Sequence, residues 1–193
     1  MNHAVVVVDL DNTLVHLEVD WDAVRKRLAS VAERAEVLVE RHGIWPLMEA
    51  ARQPGREPLL AEMEQIVKEA ELAGARGPRN EALVEWLDAN AAGTPLSVLS
   101  LNSRDAVQLA LEAHDLQGRV DHIVGREDVR RVKPDPQGML ILAERHGVEP
   151  GRILFVGDKD GDRECAENAG TEFLHVEEIG LDWRPPPSAS SGA

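Results

Sequence analysis

The stretch Val5-Val6-Val7-Val8-Asp9-Leu10-Asp11-Asn12-Thr13 decides how the rest of the chain is read. Four consecutive β-branched residues with no polar alternation have the pattern of a strand buried on both faces of a parallel sheet. The run stops at Asp9, and Asp11, Asn12 and Thr13 crowd the turn behind it. In an open parallel sheet ligands bind at the carboxyl ends of the strands, so polar residues placed there are candidates for chemistry. The spacing of Asp9 and Asp11 alone says little. The same Asp-x-Asp spacing recurs at 20/22, 158/160 and 160/162, and any one such pair in isolation reads as a solvated turn.

Working outward, four further short strands are expected at Leu96 to Leu101, Val120 to Val124, Arg152 to Val156 and Glu172 to Val176. Helices are expected between the later ones, at Arg104 to His114, Pro136 to His146 and Gly161 to Ala169. This alternation implies right-handed crossovers and an α/β fold with a doubly wound, five-stranded parallel sheet. The segment between the first strand and Leu96 breaks the rhythm, being too long for one crossover and lacking a convincing strand. It reads as an inserted helical subdomain. Val24, Leu28, Val31, Ala35 and Leu38 make one apolar stripe on a helix from Trp21 to Arg41, and Leu60, Met63, Val67 and Ala70 repeat the pattern. Ile44 to Ala51 reads as a short helix between them. Asn80 to Asn90 returns to the core as a helix. The Pro/Ser tail is expected to be disordered.

The 193 residues carry 21 Lys and Arg against 35 Asp and Glu, a formal charge of −14, and the 43% hydrophobic content is enough for a real core. That charge, with six Trp and Phe and no Tyr, excludes a nucleic-acid surface, which needs basic stripes and stacking aromatics. An anionic membrane surface is excluded on the same ground. Cys165 is the single cysteine and cannot form an internal disulfide, so a reduced cytoplasm is expected. The run Ala4 to Val8 is too short to span a bilayer.

Three further places hold candidate residues. Ser100 ends the second strand with a hydroxyl able to bond a phosphate oxygen. Lys133 precedes Pro134-Asp135-Pro136, a turn that aims its ammonium at the same sheet edge. The fourth strand ends in Gly157-Asp158, followed by Asp160 and Asp162, and so many carboxylates repel one another unless a cation sits among them. A calcium loop of the EF-hand type is ruled out, because its sixth and twelfth positions would be Arg163 and Ala169. No P-loop, G-x-S-x-G or zinc-type Cys/His spacing occurs.

Taken in order, Asp9-Leu10-Asp11-Asn12-Thr13, Ser100, Lys133 and Gly157-Asp158 with Asp162 resemble the four motifs of the haloacid dehalogenase superfamily. Ser100-Leu101-Asn102-Ser103-Arg104 and Lys133-Pro134-Asp135-Pro136 look most like its phosphoglycolate-phosphatase-like branch. The resemblance implies a Rossmann-like core at 1–17 and 79–183, a small α-helical cap at 18–78 and a tail at 184–193. It implies a Mg²⁺-dependent phosphatase in which Asp9 is the nucleophile and Asp11 the general acid and base. Mg²⁺ would be bound by Asp9, the main-chain carbonyl of Asp11 and Asp158. Ser100, Asn102 and Lys133 would bind phosphate, and Asp162 would orient Lys133 or a metal-bound water. The implied substrate is a small phosphorylated metabolite, and the chain a monomer or dimer.

Some positions depart from that pattern. Asn12 replaces the commoner Gly and is tolerable because Asn adopts left-handed angles readily. Lys159 stands where a small hydroxyl is usual and is expected to point to solvent. Ionised Asp9 is expected to favour the protonated form of Asp11. Arg25, Arg27, Arg52 and Arg56 are expected in surface ion pairs, Trp21 and Trp45 as packing residues, and His16 outside the site. A phosphomutase on the same core and a catalytically idle binding module are the competing readings. Asp9, Asp11, Asp158, Asp160 and Asp162 place five negative charges near one sheet edge, so phosphate binding is expected to depend steeply on Mg²⁺.

Overall fold

The computed structural model describes residues 3–37 and 43–179. The four-valine run forms β1 (Val5–Val8), and each of its residues is 1% exposed or less. Complete burial of each side chain favours folding by about 1.5 kcal/mol or more. β2 (Leu96–Leu99), β3 (Val120–Val124), β4 (Ile153–Gly157) and β5 (Glu172–His175) complete one sheet. Every pairing is parallel and the strand order is β3-β2-β1-β4-β5.

The crossover helices are α4 (Glu81–Asn90), α5 (Arg104–Ala113), α6 (Gln137–His146) and α7 (Asp160–Ala169). On one face Val5, Val7, Leu99, Ile153 and Phe155 pack against Met139 and Leu142 of α6 and against Cys165 and Ala166 of α7. Strand side chains alternate, so Val6, Val8 and Val98 point to the opposite face. There α4 and α5 bury Leu83, Leu87, Val107 and Leu111. Asn80 begins α4 as its N-cap, accepting from Leu83 N at 3.1 Å, while its amide donates to Thr13 O at 3.0 Å. One buried side chain thus starts a helix and braces the turn after β1.

Glu18–Gly74 forms a second compact unit. It contains α1 (Trp21–Arg34), α2 (Ile44–Ala51) and α3 (Glu57–Gly74) around Leu28, Val31, Met48, Met63 and Val67. Trp21 and Trp45 pack on the edge of this cluster. α1 is shorter than its apolar stripe suggests. It stops at Arg34, Ala35 is exposed, and Glu36 takes the left-handed conformation at φ 55°. Ala32 and Val37 are the buried residues at that end, while Leu38 and Arg41 lie outside the described residues. The ends of the unit meet where Glu18 N–H bonds Gly74 O at 3.0 Å. A Cβ on Gly74 would stand 2.8 Å from the Glu18 carbonyl, so only glycine permits that approach. No described helix is long and apolar enough to cross a membrane. The tail at 184–193 is outside the described residues.

Candidate functional site

The chain runs outward from β1 to β2 and β3 on one side and places β4 and β5 on the other. The order therefore reverses between β1 and β4, the place where open α/β sheets bind their ligands beyond the strand ends. Asp9 leaves β1 there with its N–H on Val156 O at 2.9 Å, and Asp158 leaves β4 beside it. Asn12 has φ 66°, the left-handed angle its position demands, and the turn brings Leu17 N–H to Asp11 Oδ1 at 2.9 Å. Gly157 is needed for a different reason. A Cβ there would lie 2.7 Å from the Asp162 side chain, so its absence lets Asp162 fold in from the first turn of α7.

Lys133 is the centre of the cluster, with a side chain 6% exposed. Its Nζ lies 2.9 Å from Asp9 Oδ1 and 2.6 Å from Asp162 Oδ1, and donates to Leu99 O at 3.2 Å. An ammonium has three donors and all three are engaged. Burial pulls the Lys133 pKa down, but Asp9 and Asp162 outweigh it and the net shift is upward. Ser100 Oγ donates to Asn102 Oδ1 at 2.8 Å and accepts from Asn102 N at 3.2 Å. The structure therefore brings Asp9, Lys133 and Asp162 into direct contact, and pairs Ser100 with Asn102. Thr13 Oγ1 donates to Asp158 Oδ1 at 3.3 Å. Asp160 stays exposed at the start of α7.

Carboxylate oxygens of Asp9, Asp158 and Asp162 lie within 4.8 Å of one another. Three buried or half-buried oxygen donors at this spacing fit a hard divalent cation. Burial raises the Asp158 pKa to about 6, with Asp9 and Asp162 adding to the rise and Lys159 opposing it. A carboxylate that is costly to ionise in the metal-free protein is one that a cation relieves. The Asp11 pKa is also raised. Burial is the main cause, and Asp9 contributes less than the Leu17 N–H and Lys159 take away. The expectation of a protonated Asp11 holds in direction, but desolvation rather than its neighbour Asp9 supplies most of it.

Two residues differ from their expected places. Lys159 is 54% exposed in its side chain, yet its Nζ is 3.8 Å from Asp158 Oδ2, so it leans on the site and is only partly in solvent. His16 bonds Asn12 Oδ1 through Nδ1 at 2.8 Å, which leaves that nitrogen 4.0 Å from Asp11 Oδ1. The sequence offered His16, near the hinge, as a candidate for the site but favoured a place outside it, and the left-handed turn at Asn12 is what brings it back. The arginines largely pair as expected. Arg25 meets Asp22, Arg27 meets Glu69 at 3.8 Å and Arg52 meets Glu49 at 3.7 Å, whereas Arg56 donates to Ala50 O at 2.9 Å.

Comparison with known proteins bears on this geometry. The Escherichia coli K12 phosphoglycolate phosphatase is 29% identical over 176 residues, covering 83% of this chain and 70% of that protein. Pyrophosphatase PpaX of Bacillus velezensis is 32% identical over 97 residues, covering 50% of this chain and 45% of its own. Among solved structures, CbbY from Rhodobacter sphaeroides in complex with phosphate superposes with a TM-score of 0.66. It is 18% identical and covers 90% of this chain and 85% of its own, a likeness of fold. A family model described as haloacid dehalogenase-like hydrolase matches residues 6–176. The chain belongs to the haloacid dehalogenase-like hydrolase family.

Proposed function

We propose that the protein is a Mg²⁺-dependent phosphatase of small phosphate monoesters, acting in the cytoplasm through a phosphorylated Asp9. The observation that carries this reading is the placement of Asp9, held by Lys133 at 2.9 Å and grouped with Asp158 and Asp162 at the strand-order reversal. Asp9 attacks phosphorus, and the alcohol leaves, so one hard displacement becomes formation and breakdown of an acyl phosphate. Asp11, whose pKa is raised chiefly by burial, gives its proton to the leaving oxygen. It then takes a proton from the water that attacks phospho-Asp9. A Mg²⁺ bound by Asp9, Asp158 and the main-chain carbonyl of Asp11 would offset the repulsion between phosphate and carboxylate. To hold the phosphoryl oxygens, Lys133 turns one N–H away from Asp9 and Ser100 turns its hydroxyl proton away from Asn102 Oδ1, while the Asn102 N–H keeps Ser100 Oγ in place and Asp162 keeps Lys133.

Phosphoglycolate, named in the E. coli relative, is the first substrate to try. Turnover of phosphoglycolate and p-nitrophenyl phosphate is measured with and without Mg²⁺, for the wild type and Asp9→Asn. The expected result is Mg²⁺-dependent hydrolysis that falls by about 10⁴-fold or more in the variant. Metal-independent turnover, or activity that survives the substitution, overturns the reading.

A further inference from the structure

The site holds two lysines in unlike settings. Lys133 is 6% exposed and pinned between Asp9 and Asp162, so its charge is a fixed part of the cluster. Lys159 has its backbone fixed, because its N–H donates to Asp162 Oδ2 at 3.2 Å, while its side chain is 54% exposed. Its ammonium nevertheless rests 3.8 Å from Asp158 Oδ2. No other described cation is that close to the Asp158 carboxylate.

Asp9, Asp11, Asp158 and Asp162 gather at one strand edge, and Lys133 balances only part of their charge. We propose that Lys159 is a tethered competitor for the divalent cation: its ammonium neutralises Asp158 in the metal-free protein and must withdraw when the cation binds. This rests on the metal reading given above. A unit charge near 4 Å from a ligand oxygen repels an incoming dication through a partly aqueous medium, enough to weaken binding several-fold. The half-exposed side chain can leave for water without stranding a buried charge, so the competition is reversible. Lys159 thus sets the Mg²⁺ concentration at which the site fills, above the value the carboxylates alone would give. Its absence would leave the empty site less stable and the filled site tighter, a pair of opposite effects that a purely structural lysine would not produce.

The test is titration calorimetry of MgCl₂ into the wild type, Lys159→Gln, Lys159→Arg and Asp158→Asn, at pH 8 in low salt, with thermal melts of the metal-free proteins. Lys159→Gln is expected to bind Mg²⁺ about 5-fold tighter and to melt lower without metal, and Lys159→Arg to bind within about twofold of the wild type. Raising the salt should narrow the gap, because the ammonium is screened. If the wild type binds Mg²⁺, Asp158→Asn does not, and Lys159→Gln binds no more tightly, the competitor role is overturned while the metal site stands. If neither the wild type nor Lys159→Gln binds Mg²⁺, the metal reading fails, and this inference with it.

Discussion

The parallel-sheet core and the inserted helical unit bury different things. Among the described residues eleven polar or charged side chains are buried, and Glu71 is the one that belongs to the helical unit. The other ten, from Asp9 to Asp162, lie in the core. The helices of the insertion satisfy their own backbones and need from their side chains only an apolar stripe of the right volume, as Leu28, Met48 and Met63 provide. The carboxyl ends of the strands have no such freedom, because each polar group buried there needs a partner of stated geometry. Residue identity is therefore dictated by chemistry in one region and by shape in the other.

Lys133→Met strikes that contrast hardest. It leaves Asp9 and Asp162 without the ammonium that holds them at 2.9 and 2.6 Å. Chemical denaturation should show a loss of about 3–5 kcal/mol, and turnover should fall about 10²–10³-fold. A variant as stable as the wild type would mean that the carboxylates take up protons at no cost, and the buried pair would lose its structural role.

Leu28→Ala tests the other region. Leu28 is fully buried in the helical cluster, so the loss should be about 3 kcal/mol. Hydrogen exchange should quicken within Glu18–Gly74 and leave the amides of β1 and β4 as protected as before. Equal loss of protection in β1 would show one cooperative core and break the comparison.

The same contrast explains what was legible beforehand. Each of the five strands was readable to within one or two residues, the wholly buried β1, β2 and β4 from their apolar runs and the partly covered edge strands β3 and β5 from the helices on either side of them. Leu96 to Leu101 proved too long. Its strand stops at Leu99, since Ser100 and Asn102 bond each other and Ser103 turns to cap α5. Asp9, Lys133, Asp158 and Asp162 were expected at one sheet edge from the strand ends and turns that precede or follow them, and there the structure gathers them. Orientation was not readable in the same way. The left-handed Glu36 ends α1 with no glycine to announce it, and His16 and Lys159 owe their positions to backbone turns that composition does not encode. The cause of the raised Asp11 pKa was likewise hidden, because desolvation depends on what surrounds a group and not on its neighbours in sequence.

Buried polarity in the core need not all serve the site, and the smallest effect separates the two kinds. Ser97 of β2 is wholly buried, and its Oγ is 2.7 Å from Nε2 of His146 at the end of α6. The His122 ring stands 4.7 Å from that of His146. Burial, then His122, lowers the His146 pKa, and Asp121 opposes them. The unfolded chain therefore binds this proton first as pH falls through about 6.5, and stability drops until the lower folded pKa is reached. Asp158 acts in the opposite sense in metal-free protein, since its raised pKa makes protonation favour the folded state across an overlapping range. Melts belong in saturating Mg²⁺ for that reason. Between pH 7.5 and 5.5 the wild type should lose about 2 °C more than His146→Gln, which keeps a partner for Ser97 without the titration. Equal losses would show that the Ser97–His146 pair carries no proton-linked energy. The pH response of the core would then have to come from the carboxylates at the strand ends, and the division between structural and reactive polarity would vanish.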